Sequence, residues 1–307
     1  MWTDVPEKYD AQEPKLGLKL ADMIDATITV DSNETENLLA DIASARRAAR
    51  AEAGRPVGDV FERRNVRSVN LGNALYPTEW LAKRHGMSQE ELAKAFWAGI
   101  NVSAAEIQAK GEALRKALET GKELHITNTS GTDLTVKIEG RPIFFSDGFI
   151  TDEEAKKGGR DINIWLPAGD VYFAPVAGTA NGTVVIARDF YQGKEIKNLR
   201  ITFKDGKVIS IKADSGDEQM QADYAATSDP NKSTFAFLDF GVNPAVRLAA
   251  GDTVGAWMPA GMVTVGIGDN TWTGGTNKSP YGYSAFMPGS TIKLDGREII
   301  VNGELKL

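Results

Sequence analysis

The run LRITFKDGKVISIK (199–212) is two alternating strands folded back on themselves at Lys204-Asp205-Gly206-Lys207. Asp-Gly is among the strongest local signals for a two-residue hairpin turn, because the turn needs positive φ at its centre. The flanking ITF and VISI keep the period of two expected of a half-buried strand. Outward from this hairpin the same kind of run recurs, short and β-branched or aromatic, at 124–127, 134–139, 143–145, 162–165, 171–175 and 183–188, then at 234–242 and 262–267. Gly, Asp and Asn separate these runs, and one helix, at 217–227, interrupts them. The end, STIKLDGREIIVNGELKL (290–307), adds turns at Asp295-Gly296 and Asn302-Gly303. Residues 124–307 therefore read as a β-rich, mostly antiparallel domain.

The chain before residue 124 reads differently. KLGLKLADM (15–23) has helical spacing, and IDATITV (24–30) reads as a short buried strand. A helix is then expected, capped by Asp31 or Ser32, with Glu34 and Glu36 in its positive first turn and Arg46, Arg47 and Arg50 on a solvated face toward its negative end. Gly54-Arg55-Pro56 should end it. Pro77 opens a short helix running to about His85. Ser88 with Glu91, and Ser103 with Glu106, read as capping boxes for two more, with Gly121 just past the second. The expected fold class is α+β, a partial α/β helical part over 1–123 and a β-rich part over 124–307. No linker separates them, so tight packing between the two is expected.

Composition narrows the function. The 307 residues are 42% hydrophobic and 25% charged, with a net charge of −7, which suits a globular core and argues against a polyanion-binding surface or a nucleic-acid partner. The absence of Cys excludes disulfides and thiolate sites. No apolar run approaches the roughly 20 residues of a membrane span. The compartment stays open, cytoplasmic or exported with a signal removed, and MWTDVPEKYDAQ (1–12) reads as a trimmed or mature start. The nucleophile-elbow, dinucleotide and P-loop patterns are missing. Of the two histidines, His85 is expected to cap carbonyls at a helix end, and His125 to be a structural residue of a strand.

The stretch VGAWMPAGMVTVGIGDNTWTGGTNKSPYGYSAF (254–286) runs from a strand into a Gly- and Asn-rich loop. Such a segment forms either the floor and rim of a site or a plain wide loop. Its only charged residues are Asp269 and Lys278. Asp170, Asp239, Asp269 and Asp147 stand at or within strands, where each either faces the polar side by alternation or is buried with a purpose. Together such groups can hold a hard cation.

Several ordered runs resemble the thermophilic metallo-aminopeptidases, the aminopeptidase T-like family: LPAGDVYFAPVAGTANGTVVI (166–186), LRITFKDGKVISIKADSGDEQM (199–220), FGVNPAVRL (240–248), GMVTVGIGDN (261–270) and GGTNKS (274–279). The resemblance runs from about residue 75 to the end. It implies a start partway through the family's first α/β domain, and a homodimer. It also implies removal of N-terminal residues from peptides by two bridged divalent metals such as Zn, Co, Mn or Mg. Carried over by motif, one metal-binding glutamate of the family falls on Asp170, a carboxylate one methylene shorter. The second falls on Phe237, a histidine on Thr264, and a later histidine and aspartate on Gly282 and Ser284. The family's tyrosine falls near Thr271.

With so few ligands retained, no metal cofactor is expected, and a binding or assembly scaffold is the first reading. Trp272, Tyr281 and Tyr283, with Phe286, are candidates to line a groove for a peptide or small ligand, whereas Trp257 reads rather as core or rim packing. The alternative is an active hydrolase with a rebuilt carboxylate site of Asp170, Asp239 and Asp269. Asp239 would compensate for the ligand lost at Phe237, two residues earlier on the same strand face.

Overall fold

The structure is a computed structural model and describes residues 4–32, 34–35 and 42–307. Helices and mostly antiparallel sheets make it an α+β molecule. A small parallel sheet is formed by β1 (Ala26–Val30), β2 (Arg67–Leu71) and β6 (Asn163–Leu166). The first part of the chain thus takes a strand from well beyond residue 123. The helices of this region are α1 (Lys15–Ala21) and α2 (Ser44–Arg64), followed by α3 (Glu79–Arg84), α4 (Gln89–Asn101) and α5 (Ala104–Thr120). Among the described residues no helix is long and apolar enough to cross a membrane.

Several expectations for this region need correction. The strand at 26–30 is not buried: Ile28 is 72% exposed, because β1 is the edge of its sheet. The second helix starts at Ser44 rather than beside Asp31 or Ser32, and Glu36 lies outside the described residues. Pro56 does not end it but sits inside it, and the helix closes at Asn65 in a left-handed conformation. Pro56 lacks the N–H that would reach the carbonyl of the exposed Glu52. Water can satisfy that carbonyl, so the loss is tolerated. Finally, Arg46 and Arg50 do not form a solvated face. They stand near the start of α2, and their Nε atoms lie 2.5 and 2.7 Å from the buried carboxylate of Asp10. The Arg46 hydrogen bond holds that carboxyl down to about 2, against a smaller opposing effect of burial.

The next helices follow their sequence signals more closely. Ser88 and Glu91 form the reciprocal capping box at α4. Ser103 takes the N-cap position of α5, but its side chain makes no capping bond.

Two antiparallel sheets make up the rest. An eight-stranded sheet runs β10-β9-β8-β4-β3-β14-β15-β16. Its strands are β3 (Glu123–Thr127), β4 (Asp133–Lys137), β8 (Asn181–Tyr191), β9 (Lys194–Lys204), β10 (Lys207–Lys212), β14 (Thr291–Leu294), β15 (Arg297–Val301) and β16 (Glu304–Leu305). The Asp205-Gly206 turn joins β9 to β10 with both residues at positive φ. A five-stranded sheet has the order β13-β12-β11-β7-β5, from β5 (Phe144–Ser146), β7 (Asp170–Phe173), β11 (Phe235–Gly241), β12 (Val263–Gly268) and β13 (Gly282–Phe286). Strand β13 occupies a stretch whose sequence reads as loop.

One face of the five-stranded sheet (Val171, Phe173, Leu238, Phe240, Val263, Val265) shares a single apolar core with Leu124, Ile126, Leu134, Val184 and Ile201 of the larger sheet. Yet β7, β11 and β12 are buried at every position, so their second face is covered as well. The segment around Trp257–Pro259 helps to cover it. It lies against β11, where Asn243 donates its N–H to the Met258 carbonyl at 2.9 Å. Gly241 permits this approach, since a Cβ there would run into the Trp257 and Pro259 carbonyls. Backbone cannot swing aside as a side chain can. Gly241→Ala should therefore cost about 2–3 kcal/mol in chemical denaturation, the upper part of the overpacking range.

Candidate functional site

Strand register assembles the site on that second face. Asp239 lies opposite Tyr172 on one side and Thr264 on the other. Phe144 and Phe286 extend this row at its two ends. Asp170, two residues before Tyr172, points the same way and lies opposite Gly241 and Ser146. Phe237, two residues before Asp239, lies opposite Gly266, whose neighbour on β13 is Ser284.

A cavity of about 240 Å³ opens above Asp170 and Asp239. Tyr172, Trp257 and Trp272 wall it, Trp165 stands at its mouth, and Asn73 and Ser146 complete the lining. The Trp257 and Trp272 rings are 6.4 Å apart and nearly perpendicular, and Tyr172 is 5.5 Å from Trp272. Trp272 is carried on a short turn at Thr271–Thr273 that is pinned by the buried Asn270. The Asn270 amide donates to the Ala236 carbonyl (3.1 Å) and accepts from Asn277 N–H (2.8 Å), so the polar loop is tied to β11. Asn73 comes from the turn after β2, where it sits at positive φ and donates to the Pro167 carbonyl (3.0 Å).

The electrostatics of the floor are unusual. Asp170 and Asp239 are 6% and 3% exposed. One oxygen of each, with the Thr264 and Ser146 hydroxyls, is buried without a hydrogen-bond partner. Burial pushes the Asp170 carboxyl up to about 8, opposed by a hydrogen bond from Asn73. Burial, then the nearby Asp170 charge, raises Asp239 well above the ordinary carboxylate range. Among the described residues no Lys, Arg or His lines the cavity.

The other expected site residues lie elsewhere. Asp269 braces its own loop, accepting from Thr271 N–H and hydroxyl (3.1 and 2.8 Å) and from Ser279 N–H (3.2 Å). Asp147 caps Phe149 N–H and accepts from Gln108. Tyr281 and Tyr283 do not line this cavity: Tyr281 packs in the core between the sheets, and Tyr283, which packs there too and donates its hydroxyl to Asp189, also borders a second cavity. Gly282 and Ser284 border a different cavity of about 380 Å³, beside Arg84 and His85. His85 is buried, and its Nδ1 meets Asp252 Oδ2 at 3.2 Å rather than helix carbonyls. His125 Nε2 lies 2.8 Å from Asp133 in a half-open strand pair. Asn73, Ser146 and Trp165 line the cavity although no sequence signal singles them out, and Tyr172 lines it too. For Tyr172 a signal existed: it alternates with Asp170 on one strand.

The implied pair of metals can be tested against these donors. Each ion would need about four to six ligands. The face offers two carboxylates, two hydroxyls and a ring: Phe237 packs edge-on to Trp272 at 4.8 Å and 6.1 Å from Trp257. A Cβ at Gly266 would collide with that ring, so Phe237 fills the space a ligand would need. Among the described residues no three of His, Cys, Asp and Glu gather at one point. The donor set does not fit a dinuclear centre.

Comparison with known proteins places this geometry. Aminopeptidase PepS of Streptococcus thermophilus is 31% identical over 119 residues, 38% of this chain and 27% of PepS. Aminopeptidase AmpS of Bacillus subtilis is 27% identical over 89 residues, 29% of this chain and 20% of AmpS. The matched segments thus span only about a quarter or less of those relatives. Wild-type AmpT from Thermus thermophilus has a similar fold, with TM-score 0.69 and 17% identity, covering 99% of this chain and 83% of AmpT. A 2,5-dihydroxypyridine dioxygenase from Pseudomonas putida KT2440 is also similar, with TM-score 0.61 and 14% identity, over 98% of both chains. The sequence profile of the thermophilic metalloprotease family, M29, matches residues 7–227. The chain belongs to the M29 thermophilic metalloprotease family.

Proposed function

We propose that this protein is a binding member of the family, without the dinuclear peptidase centre, whose cleft holds a small ligand. The observation that carries this reading is the Phe237 ring packed against Trp257 and Trp272, at the position that the resemblance assigns to a metal-binding glutamate. Without a pair of dications nothing polarises a peptide carbonyl or lowers the pKa of an attacking water. The fold does not supply the chemistry by itself, as neighbours named for a peptidase and for a dioxygenase share it. The test is elemental analysis of protein purified without chelator, paired with a panel of peptides assayed with Zn²⁺, Co²⁺, Mn²⁺ or Mg²⁺. Metal far below stoichiometry and no turnover are expected. Bound metal with turnover that Asp170→Ala abolishes would overturn the proposal.

A second reading, a hydrolase with a rebuilt site, draws on the four unpartnered buried oxygens of Asp170, Asp239, Thr264 and Ser146. A single hard ion such as Mg²⁺, Mn²⁺ or Ca²⁺ takes oxygen ligands of this kind. Asp269, engaged in its loop, is not part of it. Under this reading Mn²⁺ or Ca²⁺ raises the melting temperature, and Asp239→Asn removes the effect. The homodimer belongs to the same proposal. Light scattering checks it, with a mass near twice 33.2 kDa expected.

A further inference from the structure

Buried negative charge normally has a partner, because an isolated carboxylate away from water is costly. Asp170 and Asp239 lie on the floor of one cavity with one oxygen each unpartnered, and among the described residues no basic side chain lines that cavity. The walls supply no counter-charge, so the empty cavity disfavours the ionised carboxylates, and a cation that favours them has to come from outside. The walls say what kind. Trp257 and Trp272 stand at 89° to each other, and Tyr172 is tilted 32° to Trp272. The faces of indole and phenol rings offer no lone pairs to a hard metal ion. These faces are negative, however, and attract cations that shed water easily. Trp165 and Trp272, 37% and 42% exposed, stand at the rim, so the cavity opens on its aromatic side and closes on its carboxylates.

We propose that the cleft binds a compact alkylammonium ion, its methyl groups against Trp257, Trp272 and Tyr172 and its N–H directed to the carboxylates of Asp170 and Asp239. The cavity volume of about 240 Å³ lies below the range of pockets that enclose drug-sized ligands. It therefore suits a head-group with a few methyls rather than a peptide strand. A hard dication fits this chemistry less well, since it takes six or more oxygens and would gain nothing from the three rings. This inference rests on reading the cleft as a metal-free binding site.

The test is a calorimetric titration of the full chain with trimethylammonium chloride, with tert-butanol as a neutral probe of similar shape and NaCl as a salt control. MnCl₂ is titrated separately in the same buffer. Saturable binding of trimethylammonium is expected, with tert-butanol weaker by about tenfold or more. Trp272→Ala should weaken the ammonium by about tenfold, while Trp272→Phe keeps most of the affinity. Asp239→Asn should weaken it at least as much as Trp272→Ala, because it removes a charge-assisted hydrogen bond. Equal binding of tert-butanol, or no saturation by trimethylammonium below about 100 mM, overturns the assignment of ligand class. Stoichiometric Mn²⁺ binding that displaces the ammonium overturns the metal-free reading beneath it. If tert-butanol binds and Mn²⁺ does not, the binding site stands and only the cation is lost.

Discussion

Asp170→Asn should make the protein more stable at neutral pH. Burial raises the Asp170 carboxyl to about 8 in the folded chain, whereas an unfolded aspartate titrates near 3.9. Between these values the folded state holds a proton that the unfolded state has released. Stability is therefore full below pH 4 and falls as pH rises through the folded value. Each tenfold difference in proton affinity between the two states is worth about 1.4 kcal/mol, so the loss from pH 4 to pH 7 amounts to several kcal/mol. Asparagine keeps the shape without the charge, and the variant should recover most of that loss, while the raised Asp239 carboxyl keeps part of the fall. The Asp10 contribution runs the opposite way: its lowered carboxyl adds stability above pH 4 that is lost as pH falls toward 2. Urea melts of wild type and Asp170→Asn at pH 2.5, 3.5, 4.5, 6, 7 and 8 would separate the two limbs. Parallel curves for the two proteins would show that Asp170 is not buried as a neutral acid.

The second large effect is expected for Phe237→Glu, the substitution that restores a carboxylate at the position the resemblance marks as lost. In a peptidase cleft it would complete a ligand set. Here it removes a ring packed on Trp257 and Trp272 and sets a third carboxyl beside two that each already have an unpartnered oxygen. Losing a buried Phe costs about 3–5 kcal/mol, and the added charge has no basic residue among those lining the cavity, so loss of the folded state in the absence of metal is expected. Phe237→Leu, which keeps the site apolar, should fold with a loss of about 1–2 kcal/mol. Thermal unfolding of both variants with and without Zn²⁺ is the check. If Phe237→Glu proved as stable as wild type, the pocket would be wetter and more polar than the ring packing implies.

Much of the fold is legible because local signals agree with tertiary packing. The Asp205-Gly206 turn fixes the β9–β10 hairpin, and the Ser88–Glu91 box fixes the start of α4. Reading fails where packing or solvent overrides propensity. Pro56 is held inside α2. GYSAF, poor in strand formers, becomes β13 because the edge of β12 accepts it. The site divides along the same line. Alternation places Asp239 and Phe237 on one face, and that follows from strand geometry alone. Asn73 and Trp165 reach the cavity from a separate sheet and the turn beside it, a juxtaposition that no local spacing encodes. Tyr281 and Tyr283 read as groove residues by composition, but both pack in the core, and only Tyr283 reaches a cavity, one other than that above Asp170 and Asp239. Asp269 shares a loop with Trp272, yet its oxygens are taken up by the turns of that loop.

The most direct test of the metal-free cleft is crystallography of the protein soaked in Zn²⁺ or Mn²⁺, with anomalous data collected at the metal edge. No anomalous peak is expected between Asp170 and Asp239, and the Phe237 ring should remain packed against the two tryptophans. A pair of peaks bridged by those two carboxylates, with Phe237 displaced from the face, would contradict it and return the protein to the peptidases it resembles.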